Sequence, residues 1–98
     1  MSVTINNVGF HADDKLKEFI ELKLNKLDKF YNRITNSSVY LKLENSGQVK
    51  DKVVEVTVSV PGKILVSKAE DKTFEAAVDV CTSSLERQLK KYKEKMSN

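Results

Sequence analysis

The chain has 98 residues, 40% hydrophobic and 32% charged, with 17 Lys and Arg against 14 Asp and Glu, a formal net charge of +3. That suits one small globular domain with area for a single core, and it excludes an extended disordered polyelectrolyte. No run approaches the roughly 18 apolar residues that span a bilayer, and one cysteine, Cys81, leaves no partner for an internal disulfide, as suits a reducing cytoplasm.

Residues 2–8, SVTINNV, are rich in β-formers and predict a short opening strand. They do not place a basic segment before an apolar stretch, so no secretory signal is expected. Asp13 is a good helix N-cap type, and Leu16, Phe19, Ile20, Leu24, Leu27 and Tyr31 then fall on one stripe at helical period. Residues 38–44 alternate Val39, Leu41 and Leu43 against Tyr40, Lys42 and Glu44, which predicts a strand, and residues 45–51 form the loop after it. Val54, Val56, Val58 and Val60 alternate with Glu55, Thr57 and Ser59, the strict period of two of a strand with one buried and one wet face. Pro61-Gly62 reads as a turn, with Pro at its second position and Gly supplying positive φ at its third, so residues 63–69 complete a hairpin. A second helix begins near Thr73, and its stripe is Phe74, Ala77, Val78, Cys81, Leu85, Leu89, Tyr92 and Met96.

The order is therefore β-α-β-β-β-α, an α+β fold. Each helix has one stripe to bury, so the economical packing puts both on one face of a four-stranded sheet. No repeat or linker divides the chain, and residues 1–98 are expected to form a single domain.

Chemistry-bearing patterns are sparse. One His (His11) and one Cys cannot make a zinc site. Cys81 lies on the apolar stripe, where a small core residue is expected rather than a nucleophile. Three glycines supply no phosphate-cradling loop, and the carboxylates give no hint of a paired acid and base. Neither an enzyme, nor a cofactor, nor a metal, nor a small-molecule substrate is expected.

The charges carry more information. Around the first helix Lys15, Lys26 and Lys29 fall on one flank with Lys23 at the stripe's edge, and Asp14, Glu18, Glu21 and Asp28 on the far side. Around the second, Arg87, Lys91 and Lys95 fall on one flank, and Glu75, Asp79 and Glu86 on the other. Residues 87–95 hold five cations against Glu94. Cations at a helix C-terminus are favoured by the helix dipole alone. Equally, one folded face combining Lys23, Lys26, Lys29, Arg33, Arg87, Lys90 and Lys91 would neutralise several phosphates, with Arg87 and Gln88 adding directional hydrogen bonds. Composition and spacing leave both readings open.

Three segments carry a resemblance that spans essentially the whole chain. They are Lys23, Lys26 and Leu27 of the first helix; Glu75, Ala76, Ala77, Val78 and Asp79 at the start of the second; and Leu85, Arg87, Gln88, Leu89, Lys91 and Lys93 at its close. With the element order, they make the chain similar to the ribosome hibernation promoting factors of short form, the group also called ribosome-associated inhibitor or sigma-54 modulation proteins. The resemblance implies a sheet backed by two helices, similar in shape to a double-stranded RNA-binding domain. It also implies binding to the small ribosomal subunit in the mRNA and tRNA channel near the A and P sites. There the protein would block translation and preserve idle ribosomes in stationary phase or stress.

Helix cations would then contact the 16S rRNA backbone. Lys23, Lys26, Arg87 and Lys91 are placed by motif, and Lys29, Arg33, Lys90 and Lys95 by charge geometry. The longer forms carry a second domain that pairs ribosomes. This chain ends three residues after Lys95, so the short type is expected, monomeric when free, with ribosome pairing left to a separate small modulation factor. The alternatives are a module that grips free duplex RNA by shape and phosphates, and a protein adaptor using the open sheet face (Tyr40, Lys42, Glu55, Thr57).

Overall fold

The computed structural model describes residues 1–44 and 51–96. The elements are β1 (Ser2–Val8), α1 (Asp14–Asn25), a 3-10 turn (Lys26–Lys29), β2 (Asn36–Leu43), β3 (Lys52–Val60), β4 (Lys63–Asp71) and α2 (Phe74–Met96). The expected β-α-β-β-β-α order is observed; of the loop expected at 45–51, all but Asp51 lies outside the described residues. Strand order in the sheet is β1-β2-β3-β4, with β1 parallel to β2 and the other pairs antiparallel. A parallel pair cannot be closed by a tight turn, so α1 is the crossover between β1 and β2.

Both helix starts are fixed by the expected caps. The Asp13 carboxylate accepts from the Leu16 N–H at 2.8 Å, and the Thr73 hydroxyl accepts from the Ala76 N–H at 3.0 Å. Gly62 has φ +79°, a conformation that side-chain-bearing residues rarely adopt, and it closes the two-residue turn between Val60 and Lys63.

One face of the sheet is buried. Val39, Leu41, Val54, Val56 and Val58 are fully enclosed and meet both helical stripes, Ile20 and Leu24 from α1 and Val78, Cys81, Leu85 and Leu89 from α2. Burial pushes the Cys81 thiol above its ordinary pKa. Among the described residues no helix covers the opposite sheet face, and Tyr40, Ile64 and Val66 are exposed there.

Several boundaries differ from the periodicity, among them the end of β4, which reaches Asp71 rather than residue 69. The first stripe is not one helix, because α1 ends at Asn25, whose side-chain amide donates to the Glu21 carbonyl at 2.8 Å. The tighter 3-10 turn then carries Leu27 to the core and turns the chain toward Tyr31. β2 begins two residues early, at Asn36, opposite Ser59 of β3. Met96 lies beyond the sheet's reach and is 59% exposed, so the second stripe ends in practice at Tyr92.

Candidate nucleic-acid interface

The cations of interest ride on α2 and on the element packed beside it. Burial of Leu85 and Leu89 fixes how α2 rolls on the sheet, and the roll determines where each charged residue points. Tyr92 reinforces it: the ring packs edge-on against Tyr31 at 5.6 Å, and the hydroxyl donates to the Pro61 carbonyl. Two grooves result, one along each flank of α2.

The first runs between α1 with its 3-10 turn and α2, with a volume of about 450 Å³. Lys23, Lys26 and Lys29 line one side and Asp79, Thr82, Ser83 and Glu86 the other, with Leu27 and Phe30 as apolar lining. It continues past Lys29 and Phe30 to Lys90, Lys93 and Glu94. Charge here is interleaved. Lys23 Nζ lies 2.9 Å from Asp79 Oδ1, and Lys90 Nζ lies 3.8 Å from Glu86 Oε2. Aromatic rings steer the same two ammonium groups: Lys23 sits 5.5 Å from the Phe19 centroid and Lys90 5.0 Å from that of Phe30. Such contacts hold flexible lysines in place while leaving them open to solvent.

The second groove lies between α2 and β4, and is smaller, about 130 Å³. Its lining includes Lys63, Gln88, Lys91, Tyr92 and Lys95, and no described lining residue is a carboxylate. The Gln88 amide donates to the Val66 carbonyl at 3.1 Å, capping an edge-strand acceptor on β4, and to the Ser84 hydroxyl at 3.2 Å. Gln88 is thus committed to the fold rather than poised to bind a ligand.

The single basic face expected from the two helical wheels is therefore divided. Lys23, Lys26, Lys29 and Lys90 share the first groove, while Lys91 and Lys95 line the second. Arg87 is exposed on the outward side of α2, and Arg33 is exposed in the turn before β2; among the described residues neither lines either groove. The cause is simple. Signs do segregate around each helix, but the helices lie side by side, so the basic flank of α1 abuts the acidic flank of α2. A wheel drawn for one helix cannot show that.

Two further cations belong with these. Lys63, at the start of β4, becomes visible only once the hairpin sets it beside the last turns of α2. Lys93, already within the motif at the helix close, lines the far end of the first groove. Among the described residues no group of three or more His, Cys, Asp or Glu is placed to hold a metal ion, and no helix is long and apolar enough to cross a membrane.

Comparison with known proteins bears on the chain as a whole. Residues 3–97 match the family described as sigma 54 modulation protein / S30EA ribosomal protein. The ribosome hibernation promoting factor of Pseudomonas putida is 34% identical over 98 residues, covering 100% of this chain and 92% of that protein. That of Azotobacter vinelandii is 35% identical over 95 residues, covering 97% of this chain and 85% of the relative. A solved structure, a ribosomal subunit interface protein from Coxiella burnetii, superposes with a TM-score of 0.85 at 28% identity, over 96% of this chain and 99% of that one.

Proposed function

The chain belongs to the sigma 54 modulation protein / S30EA ribosomal protein family, and from that premise we propose how it acts as a ribosome hibernation factor. It binds the small subunit in the channel that mRNA and the A- and P-site tRNAs occupy, and so blocks translation while the ribosome stays intact. The match along residues 3–97 carries this reading, because it spans both helices that frame the basic grooves.

The mechanism is occupancy, with no catalysis. Lysines of the α1–α2 groove (Lys23, Lys26, Lys29, Lys90) and of the α2–β4 groove (Lys91, Lys95) take 16S rRNA phosphates, with Arg33 and Arg87 reaching the backbone from the exposed surface between and beside them. Binding draws on counterion release, so four phosphate contacts lose about 100-fold in affinity between 50 and 200 mM salt. Specificity comes from the shape of a folded RNA channel, since phosphate contacts carry no base sequence. Its place of action is the cytoplasm, where ribosomes are; whether bound ribosomes pair depends on a separate modulation factor.

Sucrose-gradient sedimentation of extracts from starved cells tests the proposal. The protein should migrate with small subunits or whole ribosomes at low salt and leave them at high salt. Equal competition by ribosome-free duplex RNA would instead favour the free-RNA module, and salt-stable binding to a protein partner would favour the adaptor reading.

A further inference from the structure

Resting on the ribosome-binding reading, we propose that Asp79 and Glu86 are specificity-determining residues: fixed carboxylates that reject phosphate backbones which do not match the ribosomal channel. A groove meant only to gather phosphates has no use for acids in its wall. Among the described residues, the stretch walled by Lys23, Lys26 and Lys29 has two, about two turns apart on α2, facing the lysines of α1 and its 3-10 turn. Each carboxylate also holds a cation of the same surface: Asp79 holds Lys23 at 2.9 Å and Glu86 holds Lys90 at 3.8 Å. An irregular or sliding polyanion must bring phosphates past both acids and win the lysines from them. A rigid RNA that sets phosphates beside Lys26 and Lys29, and reaches Lys23 and Lys90 from the side away from the two acids, escapes most of that penalty.

Discrimination by placed repulsion acts against wrong partners far more than it aids the right one. The α2–β4 groove supplies the contrast within the same molecule, because no described carboxylate lines it. Selectivity should therefore reside on one flank of α2 only.

The test compares Asp79→Asn with Glu86→Gln, singly and together, and uses Glu75→Gln as a control. Glu75 is an exposed carboxylate on α2 outside the groove lining, so its loss changes net charge equally. Affinity for purified small subunits and for a generic RNA duplex is measured across a salt series. Expected for the double variant is a rise of about tenfold for the duplex and less than about threefold for the subunit, with the duplex salt slope steeper by about one for each lysine released. A merely structural role for the acids would not move that slope. Equal gains for the two ligands, no gain for the duplex, or an equal gain in the Glu75 control would overturn the inference while leaving the function intact. Wild-type protein that fails to bind small subunits would overturn both. Asp79 is about half exposed, so its variant should fold; should it not, the Glu86→Gln variant alone, expected at about threefold for the duplex, decides the same question.

Discussion

The two flanks of α2 are built from the same residue types and yet make different surfaces. Toward α1, lysines alternate with carboxylates across a groove, and two of the ammonium groups are held by acids and rings. Toward β4, Lys63, Lys91 and Lys95 meet around Gln88 and Tyr92, with no described carboxylate in the lining. Net charge is blind to this difference. What decides how each flank treats a polyanion is which element lies opposite it: a helix showing its basic side in one case, a strand edge in the other.

The largest effect should come from disabling both flanks together. Replacing Lys23, Lys26, Arg87 and Lys91 by Gln removes four cations from α1, the 3-10 turn and α2 without touching a buried side chain. Ribosome affinity measured by co-sedimentation should fall about 100-fold or more at physiological salt. The thermal midpoint should fall by well under about 16 °C, since surface substitutions seldom exceed about 0.5 kcal/mol each and four of them sum to at most about 2 kcal/mol. Retained binding would show that these four residues are not the contacts.

Separating the flanks is the sharper experiment. Lys26→Gln with Lys29→Gln disarms the first groove, and Lys63→Gln with Lys91→Gln the second. Each pair should cost about tenfold in ribosome affinity and lower the salt slope by about two. The flanks should part company on generic duplex RNA, where the second pair is expected to matter more because no described carboxylate lines its groove. Identical profiles for the two pairs would erase the distinction.

The architecture beneath this surface was largely legible in the sequence, because period-two valines in β3 and the period-3.6 stripe of α2 are signals that packing reinforces rather than overrides. Asp13 and Thr73 were readable as caps for the same local reason. The site was legible residue by residue but not in its arrangement. Lys23 and Asp79 are 56 positions apart in the chain, and nothing local to either announces an ion pair. Gln88 looked like a ligand-binding amide until β4 was seen to need it. Lys63 could be found only through the turn that brings it alongside α2. Helix-wheel geometry gives each element's flanks; which flank meets which is a property of tertiary packing.

Tyr92 links that packing to the second groove, and its removal should give a smaller effect. Tyr92→Phe keeps the edge-on contact with Tyr31 and loses the hydroxyl's bond to the Pro61 carbonyl. A net loss of about 1 kcal/mol is expected, read as a fall of about 4–8 °C in the midpoint. Ribosome binding should weaken by no more than about threefold and only through Lys91 and Lys95, which share Tyr92's groove. A defect that persists in the Lys63→Gln, Lys91→Gln background would place the effect elsewhere.

The smallest effect distinguishes stability from recognition at a single residue. Lys23 joins α1 to α2 through Asp79, but the two side chains are 31% and 52% exposed, and solvent screens such a pair heavily. A double-mutant cycle of Lys23→Gln and Asp79→Asn should therefore give a coupling of about 0.2–1 kcal/mol that shrinks as salt is raised. Lys91→Gln, the matching change on the other flank, should leave the unfolding free energy within about 0.5 kcal/mol of wild type. Ribosome affinity should nevertheless fall severalfold for both lysines, because in the proposed interface each supplies a phosphate contact whatever its resting partner. A coupling well above 1 kcal/mol would make the Lys23 pair a structural tie between the helices. The first groove could then exchange that carboxylate for a phosphate only by loosening its own wall, and the two flanks would differ in rigidity as well as in charge.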